Sequence, residues 1–279
     1  MAKRVRAVDL DTGEILDDLI RLEDGEYVGS QKKRDEFDGK KNLPYKKRIN
    51  HDKSYVMCYQ DPIKEITDRL TLVEAGALAK LLTHMRLRGE GKLTRANKPL
   101  KNVDIEKIIG RSKPVTSAIL AKLVAVGILE KIREGRSNCY RVNPLYHAMG
   151  DRHTGGTYAK LYTVKAREVF DDLNLSEAGM FWRIIPYFHY RDYCLAFNPN
   201  ESDPGLIEYV GRGELAEILE MEPDSVSRLV RKLQGMGVML ATYSNRCARY
   251  YIHPDLMDRQ YSDSKFTWAV REMFKKHGK

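Results

Sequence analysis

Residues 55–88 read YVMCYQDPIKEITDRLTLVEAGALAKLLTHMRLR, and residues 158–191 read YAKLYTVKAREVFDDLNLSEAGMFWRIIPYFHYR. The two stretches align without a gap at an offset of 103. Tyr55/Tyr158, Tyr59/Tyr162, Glu65/Glu168, Asp68/Asp171, Leu70/Leu173, Leu72/Leu175 and Glu74-Ala75-Gly76/Glu177-Ala178-Gly179 are identical. After an insertion of seven residues the match resumes at an offset of 110. Asp104–Pro144 then faces Glu214–Pro254, with Ser117/Ser227, Lys122/Lys232, Leu123/Leu233, Gly127/Gly237 and Pro144/Pro254 in common. The fold question is therefore what one duplicated unit of about a hundred residues is.

In the first unit Leu78, Leu81, Leu82 and Met85 follow the spacing of one helix face. A basic loop, Arg86 to Lys101, is broken by Gly89, Gly91 and Pro99. Asn102 is placed to cap a short helix, Val103–Ile109, and Gly110-Arg111-Ser112 is a tight turn. Ser112 and Pro114 suit the start of a second helix that runs to about Val126, with Ile119, Leu120, Leu123 and Val126 inward. Gly127 ends it. Ile128–Arg133 and Cys139–Val142 alternate apolar and polar residues, as the arms of a hairpin with a polar tip do. The second unit repeats this order. Gly213–Leu219 is its short helix, and Pro223–Leu233 the next, with Val226, Leu229, Val230 and Leu233 inward. Val238–Tyr243 and Arg249–Ile252 form its hairpin.

The pattern predicts an α+β, mainly helical chain built as tandem winged helix-turn-helix domains. Residues 1–53 form an N-terminal hairpin (Val5–Leu10, Ile15–Leu19, turn at Asp11-Thr12-Gly13) and a charged arm. That arm carries the basic clusters Lys32-Lys33-Arg34, Lys40-Lys41 and Lys46-Lys47-Arg48. The first winged helix spans 54–150, the second 151–260, and a basic amphipathic helix occupies 261–279.

Charge is divided unequally. Residues 54–150 hold 17 Lys+Arg and 9 Asp+Glu, net +8, whereas 151–260 hold 13 and 16, net −3. A basic unit with outward cations on a groove-sized helix points to duplex DNA. The expected contacts in the first unit are Arg111, Ser112, Lys113, Ser117 and Lys122. They are joined by Arg133, Arg136, Ser137 and Asn138 of the wing. In the second unit they are Ser225, Ser227, Arg228, Arg231, Lys232, Asn245 and Arg246. Arg pairs bidentately with guanine, while Lys and Ser more often hold phosphate.

Three stretches resemble the winged-helix replication initiators of Gram-positive plasmids and phages, the RepL-type family. Val5-Arg6-Ala7-Val8-Asp9-Leu10-Asp11-Thr12-Gly13-Glu14 is similar to that family's opening hairpin. Ile108-Ile109-Gly110-Arg111-Ser112-Lys113, continuing through Ser117, Ile119 and Lys122-Leu123 to Gly127-Ile128, resembles its helix-turn-helix. Gly135-Arg136-Ser137-Asn138-Cys139-Tyr140-Arg141-Val142-Asn143-Pro144 resembles its wing and last strand. Relatives carry Arg where Ala118 stands; here that Arg appears in the second unit, as Arg228. The tandem layout is also that of iteron-binding plasmid initiators. The resemblance implies sequence-specific binding of double-stranded DNA at repeated origin sites and recruitment of host replication proteins. A transcriptional regulator of a mobile element would use the same chemistry. A protein-interaction scaffold built on winged helices is a different class.

Other signals are expected to be structural. Cys58, Cys139, Cys194 and Cys247 are scattered without a C-x-x-C pair and read as reduced thiols. Trp182, Tyr187, Phe188, Tyr190, Tyr193 and Phe197 read as core or subunit interface, and His84, His189 and His253 as packing residues. The last helix, with Phe266, Val270, Met273 and Phe274 on one face, docks on the second unit or pairs two chains as a homodimer. Acidic residues around Asp192–Glu208 and Glu214–Asp224 give the second unit a face for protein partners. Gly211-Arg212-Gly213 lacks a phosphate loop, and no H-E-x-x-H or zinc spacing occurs, so neither an enzyme nor a cofactor or metal is expected. No apolar run approaches a membrane span, and MAKRVRAVDLD lacks a signal-peptide core, so a cytoplasmic location is expected.

Overall fold

The computed structural model describes residues 3–8, 15–21, 29–30, 54–134, 137–150, 156–244 and 247–277. The chain divides into two compact units, Met1–Asp52 and Lys53–Lys279. In the first, β1 (Lys3–Val8) pairs antiparallel with β2 (Ile15–Arg21), with Lys3 opposite Arg21 and Val8 opposite Ile15. A short strand β3 (Gly29–Ser30) extends the far edge of β2. The expected turn at Asp11-Thr12-Gly13 and the basic clusters of 32–48 lie outside the described residues.

The second unit holds both repeats in one body of helices and small antiparallel sheets. The first repeat opens with β4 (Tyr55–Tyr59), α1 (Gln60–Ile66) and α2 (Leu72–Leu82). A capping box starts α2: the Glu74 amide donates to Thr71 Oγ1 at 3.3 Å, and the Thr71 amide donates to Glu74 Oε2 at 2.8 Å. The basic loop expected over 86–101 is ordered into a small hairpin, β5 (Thr94–Arg95) and β6 (Lys98–Pro99), whose turn places Ala96 and Asn97 at positive φ. Then come α3 (Asn102–Ile109) and α4 (Lys113–Ala125). Asn102 is the first helical residue rather than the cap, because the Asp104 carboxylate accepts the Lys101 amide at 3.1 Å and sets the start one residue earlier. Ser112 stands at the N-cap of α4 but its side chain makes no cap bond. Strands β7 (Leu129–Glu134) and β8 (Ser137–Val142) form the hairpin, and β9 (His147–Ala148) closes the repeat.

The second repeat runs β10 (Tyr158–Tyr162), α5 (Thr163–Asp171), α6 (Leu175–Arg183), α7 (Arg212–Leu219), α8 (Pro223–Gly235), β11 (Met239–Ser244), β12 (Cys247–Ile252) and β13 (Met257–Asp258). Each two-stranded hairpin also receives an isolated β-bridge from the segment after the first long helix, too short for sequence periodicity to show. Lys92 bridges to Arg141 in the first repeat, and Cys194 bridges to Tyr251 in the second. The order in both is therefore helix, bridging residue, short helix, turn, helix, hairpin.

The repeats join through an approximate two-fold axis. Strands β4 and β10 pair antiparallel, with Tyr55 opposite Tyr162, Met57 opposite Lys160, and Tyr59 opposite Tyr158. The Gln60 amide donates to Thr157 O at 3.2 Å, and its equivalent, the Thr163 amide, donates to Ser54 O at 2.9 Å. Edge-to-face rings repeat the symmetry: Tyr55–Tyr162 centroids are 6.0 Å apart and Tyr59–Tyr158 centroids 5.9 Å. Strands β9 and β13 add to the outer edges, giving the order β13-β10-β4-β9. Beneath this sheet α2 crosses α6 with backbone against backbone. A Cβ on Gly76 would stand 1.7 Å from Leu175 O, and one on Gly179 would stand 2.0 Å from Leu72 O. This is the geometry of an isologous dimer interface inside one chain.

One hydrophobic core fills both repeats, including Leu78, Leu81, Leu120, Leu123, Phe181, Trp182, Leu229 and Leu233. Of the aromatic stretch, Trp182, Phe188 and Tyr193 are buried, whereas Phe197 is exposed. The C-terminal helix α9 (Lys265–His277) docks on the second repeat. Val270 and Phe274 are buried, Phe274 meets the His253 ring edge-on at 4.7 Å, and the Tyr193 hydroxyl lies 2.9 Å from Thr267 Oγ1. No helix among the described residues is long and apolar enough to cross a membrane.

Candidate nucleic-acid interface

Helices α4 and α8 follow the tight turn in their repeats, and both are two-faced. On α4 Thr116, Ile119, Leu120 and Leu123 are buried, and Val126 just beyond it is half-buried. Lys113, Ser117, Ala118, Ala121 and Lys122 are exposed. On α8 Val226, Leu229, Val230 and Leu233 are buried, with Arg228, Arg231 and Lys232 exposed and Ser225 and Ser227 half-buried. The turn residues Arg111 and Ser112 are exposed. Gly110 adopts a left-handed conformation (φ 69°) that ends α3 and aims the chain into α4. Its counterpart is Glu220, held left-handed at φ 51° while its carboxylate accepts from Arg183 at 2.9 Å.

The two turns meet. Arg111 of the first repeat lines a cleft of about 510 Å³ together with Met221, Ser225, Arg228 and Lys232 of the second, and with the start of α6 at Asn174 and Glu177. Sequence spacing could not bring Arg111 to Arg228, because their proximity depends on the crossing of α2 and α6. With Lys232 set against Glu177, Arg111 and Arg228 leave the cleft net positive, which suits a polyanion.

Some expected contacts are already engaged. Lys232 Nζ lies 2.6 Å from Glu177 Oε2, and that carboxylate also accepts the Asn174 amide at 2.9 Å in the capping box of α6. Ser227 Oγ donates to Pro223 O at 2.9 Å, and Arg228 Nη2 donates to Ser225 Oγ at 3.0 Å. The last bond leaves the guanidinium on an exposed face with further N–H groups for a ligand. Glu177 is the cleft residue that sequence reasoning missed. Its role as a helix cap was legible from Asn174-x-x-Glu177, but not its hold on Lys232 from 55 residues away.

On the β7–β8 hairpin of the first repeat, Arg133 and Asn138 are exposed and opposite each other. Ser137 lies in β8 opposite Glu134. Arg136, Asn245 and Arg246 lie outside the described residues. Nearer the base of the same hairpin, Arg141 pairs with Glu130 at 2.6 Å across the two strands. The β5–β6 hairpin adds exposed Arg95 and Lys98, which the sequence placed only in a generic basic loop.

Several titratable groups away from the cleft are engaged in packing or loop contacts. His147, in β9, accepts from Trp182 Nε1 at 3.1 Å, and burial holds its pKa down at about 3. Burial, then Arg167 and Arg95, lower that of His84 to about 4. His189 bonds Glu201 O at 2.9 Å through Nε2 and accepts the Asp192 amide at 3.0 Å through Nδ1, so it organises the loop after α6. Cys58, Cys139 and Cys194 are buried, and burial pushes the Cys194 thiol up to about 12, which keeps it protonated.

No protein-family model, curated protein or solved structure matches the chain.

Proposed function

We propose that each repeat is a winged helix-turn-helix and that the chain is a non-enzymatic, sequence-specific double-stranded-DNA-binding protein. In this reading α4 and α8 are the recognition helices, and the β7–β8 and β11–β12 hairpins are the wings. The observation that carries it is the gathering of Arg111 and Arg228, with Lys232 set against Glu177, at one cleft beside the exposed faces of α4 and α8. The isolated β-bridges support it as well, since each ties the segment after the first long helix to its hairpin. Cations on the turn and wing hold phosphate and set register, and Arg228 and Arg231 read base edges. The resemblance of the first repeat to plasmid and phage initiators adds the role: binding at an origin and recruitment of host replication proteins.

Salt-titrated binding to duplex DNA tests the chemistry. Phosphate contacts give log K falling linearly with log salt, by roughly 0.9 per phosphate neutralised. No binding at low salt, or a flat response, would leave a protein-interaction scaffold instead. A minimal plasmid carrying the gene and its flanking DNA tests the role. Failure to replicate while the protein still represses its own promoter would make it a regulator.

A further inference from the structure

We infer that one chain recognises an unequal inverted repeat, with one half-site under α4 and the other under α8. The inference rests on the DNA-binding reading above and adds the symmetry of the target. Four pairs of contacts at the seam between the repeats obey the same two-fold relation. They are the Tyr55/Tyr162 and Tyr59/Tyr158 register pairs, the Gln60–Thr157 and Thr163–Ser54 bonds, the outer strands β9 and β13, and the Gly76/Gly179 crossing. Helices related by a two-fold axis run in opposite senses along a duplex. Such an axis matches DNA only where it coincides with a dyad of the duplex, so the two half-sites lie on opposite strands. A head-to-tail arrangement, as direct repeats require, would relate the two repeats by translation. The antiparallel pairing of β4 with β10 excludes that relation between the repeats.

The halves differ because the helices do. Exposed Ala118 and Ala121 on α4 stand where exposed Arg228 and Arg231 stand on α8. Alanine methyls suit the thymine methyl group, whereas arginine suits guanine O6 and N7. The α8 half is therefore guanine-bearing and the α4 half thymine-bearing. The two-fold interface is internal, so one chain suffices for one site.

Selection from a random duplex library with the full chain, followed by sequencing, tests this. The expected motif is two half-sites in inverted orientation, one enriched in guanine and the other in thymine, bound by one chain per duplex. Ala118→Arg should move the thymine half toward the guanine half, and Arg228→Ala should weaken guanine enrichment in the other half. A motif of direct repeats, a single half-site, or duplexes retained with no motif would overturn the inference while leaving DNA binding in place. No duplex retained at low salt would overturn the DNA-binding reading itself, and this inference with it.

Discussion

Gly76 and Gly179 are the same position in two repeats, and they face each other: a Cβ built on either stands 3.0 Å from the backbone nitrogen of the other. The helices α2 and α6 touch there with no side chain between them. Glycine in a helix interior is a weak helix former, by about 0.5–1 kcal/mol relative to alanine. Here its absence of a Cβ is what lets the repeats share a core.

Gly76→Ala and Gly179→Ala should each destabilise the fold by about 3 kcal/mol or more, at the upper end of overpacking costs, because the obstructing atoms are backbone. Gly213→Ala is the control. It lies in α7, and a Cβ there meets nothing within 4 Å, so a gain of about 0.5–1 kcal/mol is expected. Urea unfolding of the three variants checks both signs. A mild effect at Gly76 would contradict the close crossing.

Asp258→Ala should cost about 3–5 kcal/mol, the range for breaking a buried ion pair by removing one partner. Asp258 is buried, lies 4.0 Å from Lys160 Nζ, and accepts from the Tyr193 hydroxyl at 3.1 Å and the Gln260 amide at 2.8 Å. Tyr193 in turn meets Thr267 of α9. Faster proteolysis at α9 should therefore accompany the loss in stability; unchanged protection of α9 would mean that its docking is independent of this network.

Stability should fall on acidification below about pH 6.5. Unfolded histidine takes up its proton near that pH, while buried His147 does so only at about 3 and His84 at about 4. Between these values the unfolded chain holds more protons, so stability is fully present above the window and is lost as pH falls through it. Each such histidine contributes a slope of about 1.4 kcal/mol per pH unit. His147→Gln keeps an acceptor for Trp182 Nε1 and should flatten the acid limb of a urea-midpoint profile. A profile as steep as that of the native protein would show that His147 is not held neutral.

On DNA, Arg228→Ala should reduce discrimination between sites by roughly 1–3 kcal/mol, as for a lost bidentate base contact. Arg111→Ala should weaken binding uniformly and lower the salt slope by about one. Equal loss on random and selected duplexes for Arg228→Ala would assign it to phosphate. Competition binding at two salt concentrations separates the cases.

Much of the architecture is legible in the sequence, for physical reasons that also mark where legibility stops. The inward faces of α4 and α8 follow from helical spacing, and Val226, Leu229, Val230 and Leu233 are all buried. Gly127 and Gly237 end their helices at positive φ, as expected. What the spacing does not reveal is how the repeats join. Of the residues identical between repeats, Tyr55/Tyr158, Tyr59/Tyr162, Leu72/Leu175 and Gly76/Gly179 stand at the two-fold contact, while Ser117/Ser227 and Lys122/Lys232 lie on α4 and α8. A residue at such a contact meets the partner's surface from both sides, so both copies face the same demand. The isolated β-bridges to each hairpin escaped notice because a single residue shows no alternation. The pairing of Lys232 with Glu177 escaped because it joins two helices whose packing no local pattern encodes.

Met57 and Lys160 occupy the axis itself, opposite each other in β4 and β10. In a homodimer the residue on that axis would have to face its own copy, so a lysine would meet a lysine. Fusing the halves lifts that restriction. Lys160 lies beside a methionine and finds Asp258 on its own outer strand, where the other half has Ala148. Closing this contact is also an intramolecular event, with no dimerisation equilibrium to satisfy. Occupancy of a target would then rise with the first power of protein concentration, and a mutation in one half would reach only one side of the site.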